Sequence, residues 1–368
     1  MAAELDDLIN LDDFERTAPP RLPAGVRAYF EGGAEDEWTL QENRRAWSEW
    51  ALHPRVLRDI AERSTATSVL GERLEWPVLI APTACHQLAH PDGELATARA
   101  AAVTGTPLVL STLSNRPMEE VARAARAGCW FQLYVYRDRG VTRELVRRAQ
   151  AAGCTAIVLT VDTPIAGRRE RDLRAAFSLP ADMPLANLAA AGAPYSRPGG
   201  VDGGVVGYLN RMFDPSLTWR DLEWLVAESG LPVLVKGVLR PDDALLAQRV
   251  GARGVIVSNH GGRQLDGAVP TARVLPAVAD ALAPRDASRF ALLVDGGIRR
   301  GVDVLRALAL GADAAMIGRP VLWGLTVGGE AGVRRVLELL RHELSVAMAL
   351  AGCKWVAEVS RELVAPRR

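Results

Sequence analysis

Lysine is nearly absent from this chain: of 44 basic residues only Lys236 and Lys354 are lysines, and the rest are arginine. A lysine that closes an apolar run, as Lys236 does after Val233, Leu234 and Val235, therefore stands out. Net charge is missing too. The 44 acidic residues balance the basic ones and leave a formal charge of +0, so no overall field draws the molecule to nucleic acid or anionic lipid. Cysteine is sparse, and Cys85, Cys129, Cys154 and Cys353 are scattered without C-x-x-C spacing. In a chain of 368 residues they read as reduced core thiols of a cytosolic protein. No apolar run reaches the roughly 18 residues that a membrane span needs. Residues 1–13 are acidic and show neither the basic nor the apolar region of a signal peptide, and the final residues are not a peroxisomal tripeptide. The expectation is a soluble, cytoplasmic protein. Also lacking is a G-x-G-x-x-G after the first apolar run, the signature of an open dinucleotide-binding sheet.

What is present is a repeat. From residue 76 onward a short apolar run, a loop, an Ala/Arg/Glu-rich amphipathic stretch and a glycine follow one another. Strand candidates lie at 78–82, 107–111, 130–135, 156–162, 232–237, 254–259, 291–297 and 314–320. Helical spacing marks 93–105, 141–153, 242–251 and 301–311, as with Val302, Leu305 and Ala309. Several of these end in glycine, which can stop a helix in the left-handed conformation. Continuously apolar strands that alternate with helices imply a parallel sheet covered on both faces. Eight such units predict an α/β (β/α)8 TIM barrel. The chain is 49% hydrophobic, enough for one large core, so a single domain over 1–368 is expected, with 76–368 as the barrel. Residues 1–75 read as a helical N-terminal cap with a loop and a hairpin. Residues 163–217, rich in Pro, Gly and Ala, form a long insertion after the fourth strand, expected as a lid over the catalytic face.

Barrels build their sites at the C-terminal ends of strands. Those positions hold Gln132 and Tyr134, Thr160 and Asp162, Lys236, then Ser258, Asn259 and His260. The last two units add Asp295, Gly296 and Gly297, then Gly318 and Arg319. Charges converging there have no structural purpose, because unpaired charge near an apolar core is costly. Each also has a plainer reading: Lys236 could reach solvent along its stem, His260 could be a bonded strand-end histidine, and Asp162 could cap the turn before Pro164. Against this, His260 lies in Ser258-Asn-His-Gly-Gly-Arg263, where two glycines let backbone approach a ligand. The paired glycines at 296–297 and Gly318-Arg319 sit where barrels bind phosphate. Cys85, His86 and His90 suggest a metal by spacing, but there is no H-E-x-x-H and His86 and His90 have no obvious third ligand, so no metal site is expected. The run Arg168-Arg-Glu-Arg171 reads by default as a solvated face of the insertion.

Taken in order, the motifs resemble the FMN-dependent 2-hydroxy acid oxidases and dehydrogenases, the family of glycolate, lactate and mandelate oxidases. The resemblance runs from Ala28-Tyr-Phe-Glu-Gly-Gly-Ala34 through Ala81-Pro-Thr-Ala84, Phe131-Gln-Leu-Tyr134 and Thr160-Val-Asp-Thr-Pro164. It continues through Gly167-Arg-Arg-Glu170, Leu234-Val-Lys-Gly237, Ser258 to Asp266, Asp295-Gly-Gly-Ile-Arg299 and Ile317-Gly-Arg-Pro320. It implies that His260 is the base and Asp162 its partner, that Arg263 and Arg169 bind the substrate carboxylate, and that Tyr29 and Tyr134 hydrogen-bond the substrate. Lys236 would stabilise the reduced flavin. Ala81, Pro82, Thr83, Ala84, Ser111, Gln132, Thr160 and Ser258 would line the isoalloxazine, and Asp295, Gly296, Gly297, Arg299, Gly318 and Arg319 the ribityl and phosphate. The implied reaction takes an (S)-2-hydroxy acid to the 2-oxo acid with O2 as acceptor. Transfer to a quinone or carrier is the alternative, and a non-catalytic flavin protein a distant third. Whether His260 takes the Cα or the hydroxyl proton stays open. Plant glycolate oxidases carry tryptophan where this chain has Leu113, which implies a wider pocket and leaves lactate and mandelate-like acids open as substrates. Relatives commonly assemble as tetramers or octamers, so a homo-oligomer is expected.

Overall fold

A strand buried on both faces must be apolar at every position, and each of the eight predicted runs supplies one. The computed structural model describes residues 5–193, 204–284 and 286–367. Three short strands come first, β1 (Trp50–Leu52), β2 (Thr67–Val69) and β3 (Glu72–Leu74). The predicted runs follow as β4 (Val78–Ile80), β5 (Leu108–Leu110), β6 (Cys129–Leu133) and β7 (Ile157–Thr160), then β8 (Val233–Val238), β9 (Gly254–Val257), β10 (Ala291–Val294) and β11 (Ala314–Ile317). Strand β12 (Val364–Pro366) ends the order. β4 to β11 close into a parallel barrel in sequence order, β11 pairing back onto β4.

Alternation along each strand sorts the core into two shells. Leu79, Val109, Trp130, Val158, Leu234, Ile256, Leu293 and Met316 fill the barrel interior. Their neighbours, such as Val78, Ile80, Leu108 and Leu110, pack outward against the helices. The antiparallel β2–β3 hairpin adds Val69 and Leu74 to the interior cluster. It therefore plugs the end at which the strands begin and leaves the opposite mouth for chemistry.

Three N-terminal helices (Leu11–Thr17, Ala24–Glu31 and Trp38–Trp47) wrap that mouth. The first opens on a capping box between Asn10 and Asp13, which satisfies amides that no helix can pair internally. The third is bolted down by polar groups. Trp47 Nε1 donates to the Gly296 carbonyl at 2.8 Å, and the buried amides of Asn43 and Asn259 donate to each other at 2.7 Å in both directions. β1 pairs antiparallel with β12, tying the cap to the last strand. The segment after β7 carries short helices Glu170–Arg174 and Ala186–Ala190 and the helix Gly204–Met212, while 194–203 of the predicted insertion lies outside the described residues. Gly167 N donates to Gln264 Oε1 at 3.0 Å and Glu35 N to the Arg168 carbonyl at 2.9 Å, so this segment meets both the cap and the loop after β9. Among the described residues no helix is long and apolar enough to cross a membrane.

The Asn43–Asn259 pair gives a direct test of how the cap is held. Asn43→Ala removes both hydrogen bonds of the buried pair and leaves Asn259 only its bonds to the Val269 carbonyl and the Gly262 amide, a loss of about 1–3 kcal/mol. Denaturant unfolding followed by tryptophan fluorescence should show that drop; an unchanged midpoint would mean the cap is held elsewhere.

Candidate active site

The end of β8 sets the geometry of the mouth. The ladder to β9 slips between Lys236 and Val238, a bulge of the kind that re-aims side chains beside active sites. Gly237 occupies it at φ +109, and a Cβ there would stand 2.6 Å from the Asp162 Cβ. Only glycine lets Asp162 lie against this strand. Lys236 then points inward, donating to Ser258 Oγ at 2.9 Å and lying 3.3 Å from Asp295 Oδ2. Burial opposes its charge, but Asp295, Asp162 and Tyr134 outweigh it and hold the ammonium above its ordinary range.

His260 follows β9 with φ +57, a left-handed conformation that costs a non-glycine residue energy and marks functional sites. Its Nδ1 lies 2.8 Å from Asp162 Oδ1. A carboxylate can only accept here, so Nδ1 carries the proton and Nε2 is left as the free basic nitrogen. Burial pushes the imidazole below its ordinary range, and the cations Lys236 and Arg169 add to that; Asp162 pulls the other way without reversing it. Asp162 is opposed by burial, yet His260 and Lys236 bring its carboxyl below the usual range. The pair at neutral pH is thus an anionic carboxylate and a neutral imidazole, a base with a built-in partner for the proton it accepts.

Two guanidiniums share this mouth. Arg263 Nη1 donates to the carbonyls of Tyr29 at 2.7 Å and Gly32 at 2.8 Å, and its charge lies 5.2 Å from the Tyr29 ring centre. Burial and neighbouring Arg169 push it down to about 10, so it stays charged. Arg169 is also buried, its Nε 3.4 Å from the Arg263 carbonyl. Its neighbours Arg168 and Arg171 are exposed. The run expected as a solvated face is therefore solvated on both sides of one inward arginine. Tyr29 stacks on Phe177 at 4.6 Å and Tyr134 on Phe213 at 4.3 Å. Burial raises both phenols, Tyr134 to about 12, so both stay protonated donors. Among the described residues neither hydroxyl has a hydrogen-bond partner.

The cavity beneath them encloses about 1070 Å³ of non-atom space, the open solvent at its mouth included. Its far end is lined by Asp295, Gly296, Gly297, Arg299, Gly318 and Arg319. Among the described residues Asp295 Oδ1 is buried there without a hydrogen-bond partner, an acceptor suited to a ribityl hydroxyl. Gly297, at φ +79, lies so close to the Asn43 backbone that any side chain would collide with it. Arg319 donates to the carbonyls of Phe30, Gly261 and Gly32, each at 3.0 Å. Arg299 lies 3.6 Å from Glu15 and 4.7 Å from the Trp323 ring centre. Burial lowers both, Arg319 to about 9, and both remain cations. A long cleft with exposed backbone, an orphaned acceptor and two cations at one end fits FMN.

The other predicted residues gather on the same cavity: Ala81, Pro82, Thr83, Ala84, Ser111, Leu113, Gln132 and Thr160 line it. Two predicted contacts stand behind the lining. Asp162 backs His260, and Ser258 Oγ accepts from Lys236 and from the His260 amide. His86, weighed above as a metal ligand, instead bonds the hydroxyls of Thr83 at 2.6 Å and Thr97 at 3.0 Å. Sequence reasoning missed Phe30, Leu209 and Leu322 in the wall. Only Leu209 left a signal: with Val205, Tyr208 and Met212 it recurs at helical spacing inside the insertion.

Comparison with known proteins follows this geometry. A family model described as FMN-dependent dehydrogenase matches residues 18–366. An L-lactate oxidase of Nostoc sp. is 50% identical, covering 95% of this chain and 96% of its own. Human 2-hydroxyacid oxidase 1 is 45% identical over 98% of this chain and 97% of its own. Among solved structures, a mandelate oxidase with (S)-4-hydroxymandelic acid superposes with a TM-score of 0.91 at 43% identity, covering 97% of this chain and 98% of that one.

The protonation state of the pair can be checked without any ligand. Ring resonances of His260 should titrate below the unperturbed value of about 6.5. Asp162→Asn removes the strongest influence raising it, so the midpoint should fall further; a midpoint at or above 6.5 in either protein would contradict the assignment.

Proposed function

This chain belongs to the FMN-dependent dehydrogenase family, and from that premise we propose which residues oxidise a 2-hydroxy acid to the 2-oxo acid. It is an FMN-dependent enzyme of the 2-hydroxy acid oxidase group. The observation that carries the residue assignment is the 2.8 Å contact of His260 Nδ1 with Asp162, in one cavity with Arg263 and Arg169. When bound, FMN supplies the two-electron acceptor for the substrate and passes the electrons to oxygen, giving hydrogen peroxide.

Arg263 and Arg169 bind the substrate carboxylate, for which a guanidinium offers paired donors. Tyr29 and Tyr134, protonated and stacked in place, donate to the carboxylate and the hydroxyl and orient the acid. His260 accepts a proton at Nε2, and Asp162 steadies the cation that forms. Lys236 keeps a fixed positive charge where the isoalloxazine would lie. Ala81, Pro82, Thr83, Ala84, Ser111, Gln132 and Thr160 would hold that ring, with Ser258 behind them steadying Lys236. Asp295, Gly296, Gly297, Arg299, Gly318 and Arg319 would hold the ribityl and phosphate. Leu113 and Leu209 give the substrate end an apolar wall, which supports an (S)-hydroxy acid with an apolar side chain, from lactate to mandelate in size. The protein is further read as a cytoplasmic homotetramer or octamer. Its assembly rests on the family resemblance and its compartment on four free, buried cysteines.

Anaerobic addition of (S)-lactate, glycolate or (S)-mandelate to the purified yellow protein should bleach the flavin with at least one of them. Air should then restore the colour with release of hydrogen peroxide. No bleaching across the panel would sink the hydroxy-acid reading, and slow recovery in air beside fast recovery with a quinone would sink oxygen as acceptor. His260→Ala should keep its FMN yet reduce it about 10²–10⁴-fold more slowly; unimpaired reduction would remove His260 from the mechanism.

A further inference from the structure

Asp172 lies beside the guanidiniums assigned to the substrate. It sits on the five-residue helix Glu170–Arg174, three positions after Arg169, and the two side chains are 7% and 6% exposed. Both of its carboxylate oxygens are buried, and among the described residues neither has a hydrogen-bond partner. Its nearest cation is Arg169 Nη1, 3.8 Å from Oδ2. A buried carboxylate without hydrogen bonds is expensive to keep, so its position asks for a reason.

The reason is on the cation side. Arg169 is buried and Arg263 half-buried, and they are close enough that Arg169 lowers the Arg263 pKa. Like charges brought together in a poorly solvated mouth repel. Asp172 acts on Arg263 as well as Arg169: burial holds its own carboxyl above the usual carboxylate range, the two arginines pull it down without reversing that, and ionised it supports the Arg263 charge. The 3.8 Å contact has no hydrogen bond in it. An incoming carboxylate can therefore engage Arg169 without first breaking one.

We propose that Asp172 is the resting counterion of the Arg169–Arg263 pair, a positioning residue that sets how tightly the mouth holds a substrate or product carboxylate. The inference rests on the reading that these arginines bind that carboxylate. With Asp172 ionised, the three side chains carry a net single positive charge, which one bound carboxylate cancels. Without it two positive charges face the ligand, and acid and oxo acid alike bind more tightly and leave more slowly.

The test uses the FMN-loaded enzyme at pH 8 and constant ionic strength, with oxalate as a carboxylate probe that has no hydroxyl to oxidise. Its Kd is read from the perturbation of the flavin spectrum. Asp172→Asn should tighten oxalate about tenfold and lower KM for the hydroxy acid in step. Asp172→Ser, which removes the charge with a smaller side chain, should shift Kd the same way, and Asp172→Glu should restore the wild-type value. A merely structural role predicts the reverse, weaker oxalate and a lower kcat. Unchanged or weaker binding in the Asn and Ser variants, with flavin content intact, overturns the counterion while leaving the two arginines as carboxylate ligands. Failure of the wild-type enzyme to bind oxalate at all brings down the arginine assignment, and the inference with it.

Discussion

The helix Ala24–Glu31 ends, like every helix, with carbonyls its own backbone cannot satisfy, and here two half-buried guanidiniums take them. Arg263 binds the carbonyls of Tyr29 and Gly32, and Arg319 those of Phe30 and Gly32. The helix end carries partial negative charge, which favours cations there, and burial strengthens the attraction because little water competes. The rest of the mouth depends on this junction. It hangs Tyr29 over the cavity and holds the Arg263 guanidinium against its ring. Through the bond from Arg319 to Gly261 it also fastens the loop that carries His260.

A second constraint is charge. Lys236 and Arg169 are buried, as are Asp295 and Asp172, while Arg263 and Arg319 are half-buried and Asp162 is nearly buried. Each acid is placed against particular cations, Asp295 beside Lys236 and Asp172 beside Arg169. Asp162 serves His260 and feels Lys236. The arrangement keeps one imidazole neutral among fixed charges, which is what a base acting near neutral pH requires. The bulge at Gly237 matters for the same reason, since it lets Asp162 and Lys236 approach from neighbouring strands without collision.

How much of this was legible in the sequence depends on the range of the interaction. Barrel strands announce themselves locally because each is buried on both faces, and all eight runs appear where their apolar stretches predict. Strand ends then place Lys236, His260, Asp162 and Asp295 at one mouth without any knowledge of contacts. Ser258 was read as a ring contact and instead stands behind Lys236 and the His260 amide, because orientation at a strand end depends on what packs across the barrel. Leu209 shows its helical spacing in the sequence, but nothing local says which wall that helix face joins.

The sequence by itself determined the repeat, the closed parallel sheet and the set of chemical groups at its mouth, because a continuous apolar run and a strand-end position are properties of short stretches. Only the tertiary structure decided which of Arg168, Arg169 and Arg171 turns inward, and that Asp172 waits behind it. That choice is made by contacts between residues distant in sequence, such as Arg169 with the Arg263 carbonyl and Tyr29 with Phe177. A five-residue helix has no face of its own until a cap from one end of the chain and a loop from another close over it.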